Sequence, residues 1–247
     1  MSEAAKSIAY TAPPIVQAVV QIVYADPLSE ALYRKSVKKL GRSYDNQKDE
    51  QNVNANVDFA NQKVNFSTDP QTTMSSHDQS DGLIVAMNAL TWTRNAPYEG
   101  WEPFFARVER DLRAAHDVCG PRKLLRIGVR YINRLDVLRQ EDGTSHYEDY
   151  IAINISLPRE VETVMQYGWR FEHDLRDRPY RMVMQSASAP SEVPNTDAFI
   201  IDIDVIALID LPTKIDDILI KLHDMRAIKN EGFEMAITDK ARDSFSV

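Results

Sequence analysis

Three arginines recur at every fourth position in one run of the chain: Arg126, Arg130 and Arg134. Polar and apolar residues alternate between Leu124 and Val137, which is typical of a β-strand because successive side chains of a strand point to opposite faces. The three arginines would then share one face, with roughly 13 Å between neighbours at about 3.3 Å per residue. A row of guanidinium groups requires carboxylates, an anionic ligand or water around it.

Two aspartates show the matching pattern in a later strand. Asp202 and Asp204 are two residues apart within the alternating run from Phe199 to Leu208, so they would share a face. If the two strands are neighbours, Arg126 or Arg130 lies across from either aspartate. One interpretation is a ladder of ion pairs on the outer face of an antiparallel sheet. The other is a groove in which arginines bind phosphate or carboxylate while the aspartates hold a divalent ion.

Those five side chains are the candidate ligand-binding residues: Arg126, Arg130, Arg134, Asp202 and Asp204. His223 beside Asp224 is a further acid–base candidate in the closing helix, but adjacent helical residues point about 100° apart and are expected to pair locally.

Other catalytic signatures are missing from the sequence. None of the five histidines lies at the short spacing of a zinc site, and Cys119 is the single cysteine. The chain has no GxSxG elbow and no phosphate-binding glycine loop. We therefore expect no metal and no cofactor, assign no catalytic residue, and favour a protein that is not an enzyme.

Composition narrows the class of protein. With 247 residues, of which 43% are hydrophobic, the chain is long enough to bury a core. Its formal net charge of −8 argues against nonspecific nucleic-acid binding, which depends on basic surface. The amino terminus lacks a secretory signal pattern, and no apolar run approaches the ~20 residues that span a bilayer. These features predict a soluble, cytoplasmic protein that does not enter membranes.

The first half, residues 1–138, is predicted to have the order β-α-β-β-β-α-β. Strands are expected at 14–25, 53–59, 64–66, 83–93 and 124–137, and the polar segment 67–82 is expected to be a loop. One helix is expected to begin at Asp26-Pro27 and run to about Leu40, and an amphipathic helix to begin at Trp101.

The second half, residues 150–247, is predicted to have the order β-β-β-β-α after a polar break at 139–149. Strands are expected at 150–157, 164–175, 180–187 and 199–208, followed by a helix from Pro212 that Gly232 divides or kinks. The predicted fold is α+β, with two partly repeated halves, each a largely antiparallel sheet covered by one or two helices. The two halves can also merge into one domain.

Several spaced motifs resemble an uncharacterised, sporadically distributed family of bacterial proteins. The motifs are PPIV at 13–16, YEGW at 98–101, RIGVRYINR at 126–134, DID at 202–204, LHD at 222–224, Phe233, and ITD at 237–239. The resemblance extends over nearly the whole chain, and it implies no reaction.

Two functions remain open at this point. The first is a noncatalytic protein-binding component of a bacterial multi-gene system, which self-associates as a homo-oligomer or binds a partner protein. The alternative is a metal-dependent enzyme or sensor that acts on a phosphate- or nucleotide-containing anion through an arginine-lined groove. Unpaired, enclosed arginine head groups would favour the alternative, because an unpaired buried charge is costly.

Overall fold

The computed structural model describes residues 10–58, 63–140, 143, 145–153 and 166–246, with the backbone alone for 52–58 and 63–67. Within these ranges the chain forms nine strands, four α-helices and two short 3-10 helices. The strands are β1 (Ile15–Tyr24), β2 (Asn46–Asp58), β3 (Lys63–Ser75), β4 (Asp81–Ala86), β5 (Ala89–Asn95), β6 (Leu124–Leu138), β7 (Gly168–Asp174), β8 (Arg181–Ala189) and β9 (Thr196–Ala207). The α-helices are α1 (Glu30–Leu40), α2 (Trp101–Cys119), α3 (Ile215–Ala236) and α4 (Asp239–Ser244), and the 3-10 helices are Gly41–Ser43 and Tyr147–Asp149.

All nine strands form one antiparallel sheet in the order β2-β3-β4-β5-β1-β6-β9-β8-β7. The predicted α+β class with an antiparallel sheet is therefore confirmed. β6 precedes the predicted break at 139–149 and pairs with β9, which follows it, so strands from both predicted halves share one sheet. The predicted repetition of two halves is not confirmed and stays a prediction.

The helices α1, α2 and α3 pack on one face of this sheet. Tyr33 of α1 is hydrogen-bonded to Thr72 of β3, Asp111 of α2 accepts from the indole of Trp92 on β5, and Lys229 of α3 lies over Tyr131 of β6. The sheet register places these three strand residues on the same side. The hydrophobic core fills this helical layer, because every second side chain of the central strands points into it.

The opposite face carries the Arg130 side chain of β6 and, among the described residues, no helix packs on it. We call it the open face.

Several predicted boundaries in the first half are wrong, including that of β2, which begins at Asn46 and not at residue 53. α1 begins at Glu30 with Ser29 as its N-cap, because the Ser29 hydroxyl, not the Asp26 carboxylate, accepts from the Leu32 N–H. The run 83–93 is two strands, β4 and β5, joined by a tight turn. Much of the expected loop 67–82 belongs to β3, whose Thr72 is buried between Tyr33 and Asp49, so hydrogen bonds satisfy a polar strand residue.

Two predictions for the second half also change. α3 continues through Gly232, where a Cβ would lie 3.0 Å from Met182 in β8, so this glycine permits close helix–sheet contact. The expected strand 150–157 extends beyond the described residues at 154–157, and Ile151 forms an isolated bridge with Ile237. Within the described ranges, no helix is both long enough and apolar enough to cross a membrane.

Candidate functional site

The arginine row of β6 lies on the open face, and β9 is its hydrogen-bonded neighbour. Arg130 is directly opposite Asp204, and Ile132 is opposite Asp202. The arginine side chains lean along their strand, so the ion pairs are diagonal: Arg126 pairs with Asp204, and Arg130 pairs with Asp202. We call these four residues the ion-pair ladder.

The Arg130–Asp202 pair is a two-pronged contact. Arg130 Nε donates to Asp202 Oδ1 at 2.8 Å, and its Nη2 donates to Oδ2. Gln185 on β8 also donates to Asp202 Oδ2, at 2.6 Å. The Asp202 side chain is only 5% exposed, whereas that of Arg130 is 43% exposed. Asp202 is therefore a buried carboxylate that receives several donors, which is the arrangement that offsets the cost of burying its charge.

The Arg126–Asp204 pair has a single hydrogen bond between its two side chains. Arg126 Nη2 donates to Asp204 Oδ2 at 2.7 Å, and Nη1 donates to Gln21 on β1. Asp204 Oδ1 is buried and has no hydrogen-bond partner within the described chain. Burial outweighs the neighbouring Arg126 and Arg130 guanidiniums and raises the pKa of Asp204 to about 6.

Gly128 makes room for the Arg126 head group. A Cβ at this position would lie 2.9 Å from both Nη atoms of Arg126. Since Gly128 is on the open face between Gln21 and Ile206, the guanidinium lies over its backbone. A larger residue would therefore require the Arg126 head group to shift.

Arg134 does not join the ladder. It donates to Asp136 on its own strand, at 3.0 Å and 2.9 Å, and to the carbonyl oxygen of Pro190 at 2.8 Å. The pKa of Asp136 is held below its ordinary value, first by the hydrogen bond from Arg134. The structure thus brings together four of the five candidate residues, and the fifth has partners of its own.

His223 and Asp224 lie on α3 and have separate partners. His223 Nδ1 accepts from the indole of Trp101 at 3.0 Å, and its ring contacts that of Phe105 with centroids 4.1 Å apart and the ring planes tilted by 47°. Asp224 accepts from the Tyr180 hydroxyl at 2.6 Å. They form no joint acid–base site and are far from the ladder in the fold, because α3 covers the other face of the sheet.

The arginines and aspartates of the ion-pair ladder pair with one another. Both guanidiniums already contact carboxylates, so a phosphate group would have to replace Asp202 or Asp204. In the described part of the chain, no group of three or more His, Cys, Asp and Glu residues is placed to hold a metal ion. Partly buried aliphatic side chains surround the ladder on the same face: Val19, Val23, Ile132, Ile200 and Ile206.

Two glutamines of the ladder and one buried lysine were not identified from the sequence. Gln21 and Gln185 complete the ladder from β1 and β8, and only the spacing of Gln17 and Gln21 in β1 hinted at a polar row. Lys229 of α3 is 5% exposed and lies 3.8 Å from the centroid of the Tyr131 ring. Its position between Met225 and Gly232, in the apolar stripe of the helix, was the available signal.

Comparison with known proteins gives no family assignment. No protein-family model matches the chain, and no curated protein matches it. Among solved structures, the crystal structure of the di-domain ARO/CYC StfQ from the steffimycin biosynthetic pathway is 10% identical, with a TM-score of 0.17. The match covers 94% of this chain and 98% of that one.

Proposed function

We propose that this protein is a noncatalytic binding component that self-associates through the open face of its sheet. The observation that carries the proposal is the composition of that face. Its charged groups are paired within the chain, and aliphatic side chains surround them. Such a surface lacks free reactive groups, but it supplies apolar area and a fixed pattern of charge for a protein partner.

Within the described ranges no helix covers the open face, and this supports the same function. One face of an antiparallel sheet is often solvated, and then its residues are mostly polar. On the open face, Ile132 and Ile200 are instead diagonal neighbours at one end of the ion pairs, and Ile206 lies at the other end, opposite Gly128. Two such faces can pack together as the sheets of a sandwich do, roughly 10 Å apart. A two-fold symmetric dimer would use the same patch on both subunits.

The test is the oligomeric state as a function of protein concentration. Sedimentation equilibrium of the wild-type chain should show a reversible dimer, and Ile132→Lys should shift it to monomer because the added charge lies in the dimer interface. Ile220→Lys is the matched control, since Ile220 is 67% exposed on α3, on the other side of the sheet. A wild-type chain that stays monomeric at all concentrations, or a control as disruptive as Ile132→Lys, would contradict the proposal.

A further inference from the structure

A cavity lies within the helical layer, away from the open face. It lies between the sheet and the three helices α1, α2 and α3 and is partly open to solvent. Its walls are largely aliphatic: Leu90 comes from β5, Leu112 from α2 and Ile218 from α3. Cavities of this kind, with apolar walls and a few convergent polar groups, are the usual form of small-molecule sites.

The polar groups of the cavity come from β1, α1, α2 and the segment before β6. Tyr24 ends β1, and its hydroxyl forms no hydrogen bond within the described chain. Ser36 of α1 and Cys119 of α2 contact each other, with 3.2 Å between Oγ and Sγ. Arg122, just before β6, donates from Nη2 to the carbonyl oxygen of Asp26, and its guanidinium carbon lies 4.4 Å from the centroid of the Tyr24 ring.

The charge of the lining is unusual for this protein. The chain has 37 acidic residues and a net charge of −8, yet none of the described residues that line the cavity is Asp or Glu. Arg122 and His116 do line it. The site is therefore electrostatically suited to a negative group, even though the protein as a whole repels anions.

We propose that this cavity binds a short monocarboxylate, with its hydrocarbon tail among the aliphatic walls and its carboxylate at Tyr24 and Arg122. Tyr24 donates its free hydroxyl to one carboxylate oxygen, and Arg122 supplies charge-assisted N–H groups to the other. Burial raises the pKa of Tyr24 to about 12, so its hydroxyl keeps its proton at neutral pH. The aliphatic walls contribute affinity in proportion to the apolar area of the tail that they cover.

Isothermal titration calorimetry with hexanoate tests this proposal. Acetate, which lacks the tail, and 1-hexanol, which lacks the charge, should each bind at least about ten-fold more weakly than hexanoate. Hexanol binding as tightly as hexanoate would overturn the carboxylate assignment. No heat and no ligand-observed NMR signal from any of the three would overturn the site itself.

Substitutions at Tyr24 and Arg122 test whether hexanoate binds in this cavity. Tyr24→Phe removes only the hydroxyl and should weaken hexanoate binding roughly five-fold, and Arg122→Gln should weaken it about ten-fold. Arg113→Gln is the control, because Arg113 pairs with Glu109 and Asp216 on the outer surface of α2. Circular dichroism establishes that each variant is folded. Unchanged hexanoate affinity in both Tyr24→Phe and Arg122→Gln would rule out this binding mode.

Discussion

At the scale of single residues, Asp204 is a carboxyl group that stays protonated into the mildly acidic range. Its pKa is about 6 in the folded protein against an ordinary value of 3.8. The folded state therefore binds more protons than the unfolded state between about pH 4 and pH 6. Stability contributed by this group should decrease as the pH rises through that interval, by up to about 3 kcal/mol.

A ¹³C NMR titration of the aspartate carboxyl groups measures this directly. We expect one resonance with a midpoint near pH 6 that disappears in Asp204→Asn. The urea-unfolding free energy of Asp204→Asn should lose the decline between pH 4 and pH 6, whereas Asp243→Asn, an exposed position on α4, should keep it. A midpoint near 4 would contradict the assignment.

Lys229 shows the opposite case of a buried base. Burial lowers the pKa of Lys229 from 10.5 to about 7, and Arg226 lowers it further while Glu234 opposes the shift. Between pH 7 and about 10, the unfolded chain binds the proton that the folded chain has released. Stability should therefore rise with pH across this range, and the full cost of the buried charge is present below pH 7.

Lys229→Met should consequently stabilise the protein at pH 6 to 7 by about 1–3 kcal/mol, because a residue of similar volume replaces a buried amine without an ion-pair partner. The slope of unfolding free energy against pH above 7 should also flatten. Lys38→Met, at an exposed position of α1, serves as the control and should change both quantities little. A destabilised Lys229→Met protein would indicate that the contact with Tyr131 outweighs the burial cost.

At the scale of one element, β6 depends on Gly128 to hold its arginine in place. Gly→Ala inside a strand ordinarily stabilises a protein slightly, because alanine reduces the freedom of the unfolded chain. Here the added Cβ would push the Arg126 guanidinium away from Asp204, so we expect Gly128→Ala to destabilise by about 1–2 kcal/mol in urea unfolding.

A double-mutant cycle separates the clash from other effects. In an Arg126→Ala background, the destabilisation by Gly128→Ala should largely vanish, giving a coupling energy of about 1 kcal/mol. Gly168→Ala on β7 is the control, since the nearest atom to its Cβ would be 3.8 Å away. If Gly128→Ala costs the same in both backgrounds, the arginine is not what the glycine accommodates.

The elements also show how far the sequence determines the fold. β6 and β9 were predicted to within three residues of their ends, and α2 at its first residue, because each has one strongly apolar face. β2 and β3 were partly missed because polar residues such as Thr72 and Asp49 satisfy each other by hydrogen bonds, which no hydrophobic pattern reports. The turn at Met87-Asn88 between β4 and β5 contains neither glycine nor proline, so nothing in the run 83–93 marked it.

The candidate site was predictable in residue type but not in its pairing. The alternation of β6 and β9 indicated which arginines and aspartates share a face. The alternation does not determine the register between the two strands. The diagonal ion pairs and the hydrogen bonds of Gln21 and Gln185 are therefore visible only in the structure. His223 and Asp224 were adjacent in sequence, yet helical geometry directs them to Trp101 and Tyr180.

At the scale of the whole molecule, the edges of the sheet are protected by charge. β7 carries Arg170 and Glu172, 3.2 Å apart, and Arg181 of β8 bonds to Glu172 and Asp174. At the other edge, Lys48 and Glu50 pair on β2 at 2.7 Å. Charged edge strands discourage strand addition. Association through the open face is therefore better supported than association through either edge.

The central position of β1 has a consequence for how the chain is made. Ile22 pairs with Leu90 on one side and with Ile127 on the other, so the second partner leaves the ribosome about a hundred residues later. At typical synthesis rates this interval lasts roughly 5 to 20 s. During that time an apolar strand has an unpaired edge, and pairing between strands so far apart in the sequence is slow. The nascent chain should thus need protection by a chaperone until β6 emerges.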